Sequence, residues 1–304
     1  MQPLTETTRR RVRVGAWLVA TALIVVLWRT VNTRRLLAFV EGTNPLWLCA
    51  AVLSNLVIQP IGAMQWWSLL PQGVSVARRR MLRLYSLTSI ANNTTPSIIG
   101  HATGTLLLAA EPEIGREVAL SVLALDQLAV GLVKVGIVLS ASALLPLPEW
   151  MVRGLAGLAV LVGLLLIAAV IVARRTRFLA ALRTPSRFFA GVGFAIGVKL
   201  AEAGAITAVQ LAFGMSPSIR TVLPVLAATA LGSVIPVAPA NIGTYEAAAY
   251  GAYRFLGLTP DAALGIAVVQ HVCQLLPAVG AGYIMLSLPR IVRRGSAVGA
   301  TEVR

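Results

Sequence analysis

The sequence is poor in charge: only 12% of its 304 residues are Asp, Glu, Lys or Arg, about half the share found in an ordinary soluble domain. A soluble chain of this length needs a charged skin. With 57% apolar residues, the composition instead describes an integral membrane protein. Cysteine is scarce too. Cys49 and Cys273 both lie in apolar stretches, which excludes a disulfide framework and offers no metal-ligand spacing. Histidine occurs twice, as His101 and His271, with no HExxH pattern. Lys134 is followed by Val and Lys199 by Leu, so no P-loop exists. Gly191, Gly193 and Gly197 miss the dinucleotide spacing, and GxSxG is missing. These absences predict a protein that is not an enzyme and that needs neither cofactor nor metal.

What charge there is has one sign. The formal net charge is +15, and of 26 basic residues all but Lys134 and Lys199 are arginines. They cluster beside apolar runs without an interleaved aromatic surface, which argues against nucleic acid. Membrane topogenesis and anionic headgroups account for them.

Six apolar segments read as spans, a first at 14–28 and five more, each long enough to cross about 30 Å of hydrocarbon, at 45–70, 118–145, 150–173, 188–213 and 262–288. The first follows Arg9, Arg10, Arg11 and Arg13 and ends in Leu27-Trp28-Arg29, without the small residues of a cleavage site, and therefore reads as an uncleaved helix. Two further stretches, 82–110 and 221–257, are interrupted. The first contains Asn92-Asn93-Thr94-Thr95-Pro96 and Gly100; the second contains Pro236, Pro239, Asn241 and Gly243. Broken backbone at membrane depth persists only where protein or a wet cavity satisfies it. The interruptions match each other: Pro96-Ser-Ile-Ile-Gly100 aligns with Pro239-Ala-Asn-Ile-Gly243 at an offset of 143 residues, which also carries Gln127 onto Gln270. This predicts an internal repeat, with halves at about 45–145 and 188–288.

Arginine placement then selects a topology. If each interrupted stretch is a re-entrant hairpin, 18 arginines fall on the cytoplasmic side and six opposite; if each is a full span, the split is 14 to 10. The positive-inside rule favours hairpins. The expectation is an all-α polytopic membrane protein, one integral membrane domain over 1–304, with six spans and two re-entrant helical hairpins in an inverted-topology repeat. Both termini are then cytoplasmic.

Ionisable residues inside apolar segments are costly and mark functional candidates. Lys199 and Glu202, three apart on one helix, share a face and form either a self-satisfied ion pair or a substrate contact. Asp126 has no cationic neighbour three or four residues away, so its partner must come from another helix, water or substrate. For Lys134 a structural role, snorkelling or pairing across helices, is favoured. Glu246 follows Gly243-Thr244, where a helix would start. It reads as a first-turn cap or, with Tyr250 and Tyr253 on the same face, as a site residue. His101 and His271 are compatible with simple packing roles.

Taken together, Asn92-Asn93-x-x-Pro96-x-x-x-Gly100, Asp126-Gln127, Pro236-x-x-Pro239-x-x-x-Gly243-x-x-Glu246 and Leu256-Gly257-Leu258-Thr259-Pro260 resemble the lysylphosphatidylglycerol synthase transmembrane region, or flippase-like domain family, over about 45–288. The resemblance implies a multi-pass protein of a prokaryotic cytoplasmic (inner) membrane. Such a protein moves a lipid, anionic or lipid-linked, between leaflets, here without the soluble aminoacyl-transferase domain. A separate lipid-modifying enzyme is an expected partner. The sequence departs from the family pattern at His101, where an acidic residue is common, and around Gln270-His271, where an Arg is common. The candidate substrate and cavity residues are Asn92, Asn93, Pro96, Gly100, His101, Asp126, Gln127, Lys199, Glu202, Pro239, Asn241, Gly243, Glu246, Tyr250, Gln270 and His271. The alternative is a non-transporting scaffold subunit of an envelope-modifying system. A lateral opening from a polar cavity to the lipid face would favour transport, and closed charge pairing would favour scaffold.

Overall fold

A computed structural model describes residues 41–95, 97–175, 185–234 and 239–287. Among these the chain is helical throughout, without strands: α1 (Pro45–Ser68), α2 (Arg78–Thr94), α3 (Ser97–Ala109), α4 (Arg116–Leu144), α5 (Glu149–Arg175), α6 (Pro185–Ala212), α7 (Ile219–Gly232), a 3-10 turn (Pro239–Asn241), α8 (Thr244–Phe255) and α9 (Pro260–Ser287). Five of the helices, α1, α4, α5, α6 and α9, are long and apolar enough to cross a membrane. The expected first span at 14–28 lies outside the described residues.

Helix starts follow local chemistry. Pro45 opens α1, and Asn44 caps it by accepting from the Leu46 N–H at 3.0 Å. At the start of α7, Thr221 Oγ1 accepts from the Ser218 N–H at 2.9 Å.

The interrupted stretches form helix pairs. In the first, α2 and α3 run antiparallel: Arg80 pairs with Glu111 at the open end, and Gly100 backs onto Asn92 near the break. Both ends of the pair therefore lie on one side of the bundle. A Cβ on Gly100 would sit 2.6 Å from Asn92 Cα and 2.7 Å from its N, so the close approach demands glycine. In the second pair, α7 and α8 pack together, and the described part of their connection contains left-handed residues. Gly243 has φ 87°, and Ala240 and Asn241, neither of them glycine, both have φ 55°. A left-handed alanine costs roughly 1–2 kcal/mol, and asparagine less, so other contacts must hold Ala240 in this turn.

Shifted by 143 residues, Arg116–Leu144 falls at 259–287, beside Pro260–Ser287, and Pro45–Ser68 falls at 188–211, inside Pro185–Ala212. The helices α1 and α6 pack antiparallel along their lengths. The Asn44 N–H donates to Ala212 O at 3.0 Å, Ser54 Oγ donates to Ala201 O at 2.8 Å, and the Arg187 guanidinium donates to Leu70 O. Elements distant in sequence also meet: α2 packs on α9, and α7 packs on α4. Two apolar cores result. On α6, Ala195 belongs to one and Ala205 to the other, with Lys199 and Glu202 between them.

Candidate functional site

Between the two cores lies a cavity of about 250 Å³. Its wall is drawn from α1, α2, α3, α4, α6 and α9, so it needs both halves. Of the residues singled out from sequence, Asn92, Asn93, His101, Asp126, Gln127, Lys199 and Glu202 line it.

Lys199 Nζ donates to Glu202 Oε2 at 2.6 Å, as the i,i+3 spacing predicts. Asp126 is buried and accepts from Gln65 Nε2 on α1 at 2.8 Å and from Gln127 Nε2 at 3.0 Å. Both partners are neutral amides. Lys134 also lines the cavity and donates to Ser233 Oγ at the end of α7 at 2.8 Å, the pairing across helices rather than snorkelling. Three wall atoms, Gln59 Oε1, Asn92 Oδ1 and His101 Nδ1, are buried with no hydrogen-bond partner among the described residues. Each such atom costs about 1–3 kcal/mol when dry. Their convergence on one space suits a polar ligand or water, and the mixture of two lysines with two carboxylates suits a charged one.

The second group from the sequence is placed elsewhere. Pro239, Asn241, Gly243, Glu246, Tyr250, Gln270 and His271 do not line the cavity. Glu246 Oε2 accepts from the Gly243 N–H at 2.7 Å, the capping geometry weighed as its simpler role. Its Oε1 lies 2.7 Å from His271 Nδ1, while His271 Nε2 lies 3.0 Å from Ala240 O. The imidazole stacks on Tyr245 at 4.4 Å between ring centroids. Gln270 is buried, donates to Tyr245 Oη at 2.6 Å and accepts from Tyr253 Oη at 2.7 Å. Tyr250 packs at the edge of the apolar core. These residues surround the turn between α7 and α8, and the burial of Gln270 and His271 draws α8 onto α9 rather than facing either residue to the cavity. The 3-10 turn does reach α2 and α3, so the two breaks approach each other. Pro96 and Pro236 lie outside the described residues. Gly100 shapes the wall from behind Asn92.

Several wall residues escaped the sequence reading: Asn55, Gln59, Gln65, Tyr85, Thr88 and Gln274. Being neutral, none draws attention in an apolar run. One signal existed, since Gln59 is the 143-residue equivalent of Glu202. Among the described residues no group of three or more His, Cys, Asp or Glu is placed to hold a metal ion.

A second space adjoins the first. An apolar groove of about 740 Å³ lies between α4, α6 and α7, and Val133 and Lys199 line both it and the polar cavity. Comparison with curated proteins and with solved structures gave no match. The family model of the lysylphosphatidylglycerol synthase TM region matches residues 13–282; a membrane-embedded helical bundle carrying this divided polar interior thus belongs to that family.

Proposed function

We propose that the protein translocates a lipid, or a lipid-linked headgroup, between the leaflets of a prokaryotic cytoplasmic membrane, and that it does so without catalysing a reaction. The observation that carries this reading is the shared wall of cavity and groove. A two-part ligand fits a two-part space: a headgroup among Asp126, Lys134, Lys199 and Glu202, and acyl chains along Leu132, Ile196, Leu200 and Leu223. Lys134 engages a hydroxyl rather than a carboxylate, which suits an anionic group such as a lipid phosphate.

The antiparallel packing of α1 on α6 supports an inverted-topology repeat. The pairing of Arg80 with Glu111 supports a first hairpin that re-enters and returns to its own side, which is cytoplasmic by arginine count, as are both termini. Two such hairpins with six spans would present the site to each leaflet in turn. The groove is the feature that a scaffold subunit would not need, and a separate lipid-modifying enzyme then acts as supplier or consumer of the lipid.

The test is reconstitution. Proteoliposomes carrying a fluorescent anionic phospholipid should lose outer-leaflet label to a membrane-impermeant quencher and then continue to lose inner-leaflet label faster than empty liposomes. Ala203→Trp, which fills the groove, should abolish the excess rate at unchanged folded yield. A rate equal to that of empty liposomes for phospholipids of every headgroup charge would defeat the reading.

A further inference from the structure

Glu246 and His271 form a contact whose chemistry can be counted proton by proton. Ala240 O is a carbonyl and only accepts, so the 3.0 Å contact requires a proton on His271 Nε2. The Gly243 N–H donates to Glu246 Oε2 at 2.7 Å, so that oxygen acts as acceptor. What remains is the 2.7 Å approach of Glu246 Oε1 to His271 Nδ1. Two bare lone pairs repel at that distance, so one proton lies between them, on nitrogen or on oxygen. Glu246 and His271 thus carry two protons: one on Nε2 and one shared.

We propose that Glu246 and His271 are a binding site for one exchangeable proton, and that this proton holds the Ala240–Gly243 turn in its present shape. Release leaves a single ring proton, which can serve Glu246 through Nδ1 or Ala240 through Nε2, but not both. Loss of the Ala240 bond frees a turn that carries two non-glycine residues at φ 55°. Because the 3-10 turn packs on α2 and α3, its release bears on the hairpin that carries Asn92, Asn93 and His101 in the cavity wall. The proton is therefore a ligand placed to change the cavity from outside it.

Other titratable side chains surround the pair. Tyr245 stacks on the imidazole, and Tyr253 lies behind Gln270. Glu202 of α6 is bonded to Lys199. From the hairpin packed on the turn, Tyr85 and His101 are titratable side chains that line the cavity.

The full chain in lipid bilayers, with 15N-labelled histidine and 13C-labelled alanine carbonyls, gives the first readout by solid-state NMR; His271 is assigned by the signal lost in His271→Gln. Near neutral pH both nitrogens of His271 should carry protons or share one with Glu246. On raising the pH, the Nδ1 signal and the Ala240 carbonyl signal should move in one common step. Glu246→Gln supplies the second readout. The glutamine amide can donate to Nδ1 while its oxygen accepts from Gly243, so a neutral His271 keeps both bonds. In that variant the Ala240 signal should be in the bound position at every pH. A histidine that titrates without any change at Ala240, or an Ala240 step that persists in Glu246→Gln, would overturn the proposal. Neither readout requires lipid movement, so the proton site and the transport reading stand or fall separately.

Discussion

Lys134 Nζ donates to Ser233 Oγ at 2.8 Å, joining the middle of α4 to the end of α7, just before the break in the second helix pair. An ammonium in an apolar bundle that is bonded to a neutral hydroxyl retains most of its capacity for an anion. Lys134→Gln should therefore weaken binding of an anionic phospholipid by about tenfold, the effect of about 1.4 kcal/mol, and leave binding of a neutral lipid unchanged. Native mass spectrometry of purified protein with defined lipids measures both. Equal losses for the two lipids would assign Lys134 to the fold alone.

The ion pair of Lys199 with Glu202 separates structural from functional charge. Either single neutral variant, Lys199→Gln or Glu202→Gln, leaves one charge without its partner in a largely buried setting and should lower folded yield. The double variant removes both and should restore the yield. If the pair contacts the headgroup, the double variant folds yet fails to move lipid in proteoliposomes. A double variant with parental transport would make the pair purely structural.

Gly100 and Gly104 form a graded test of the first hairpin. A methyl at Gly100 meets Asn92 backbone atoms, whereas one at Gly104 first meets the Thr88 side-chain methyl at 2.7 Å. Backbone cannot move aside as a side chain can, so Gly100→Ala should cost more, about 1–3 kcal/mol, and lower the melting temperature in detergent further than Gly104→Ala. Equal melting temperatures would mean that the two arms are looser than their packing implies.

Membrane orientation is open to direct chemical labelling. In a variant lacking Cys49 and Cys273, single cysteines at Gly73 and Glu113 should be shielded from an impermeant thiol reagent in intact cells and react after permeabilisation. One at Pro217 should react from outside. Labelling of Glu113 but not Gly73 from outside would make the α2–α3 pair a full crossing and remove the re-entrant reading.

The legible part of this protein was the part governed by short range. Hydropathy located the spans because each long helix satisfies its own backbone hydrogen bonds within a single apolar run. Proline, glycine and asparagine located the breaks for the converse reason. The spacing of Lys199 and Glu202 gave their bond directly, since three residues bring side chains onto one helical face. What the sequence could not decide was helix rotation about the long axis, which depends on how six packed helices share their apolar faces. Asp126 and Glu246 were both site candidates on paper. Packing of α4 against α1 turns Asp126 to Gln65 and the cavity, whereas packing of α8 against α9 turns Glu246 to His271, 25 residues away and off the cavity wall. The neutral wall residues Gln59, Gln65 and Tyr85 became visible only there, because a polar side chain in an apolar run shows its purpose by what it faces, and facing is a property of the assembled bundle.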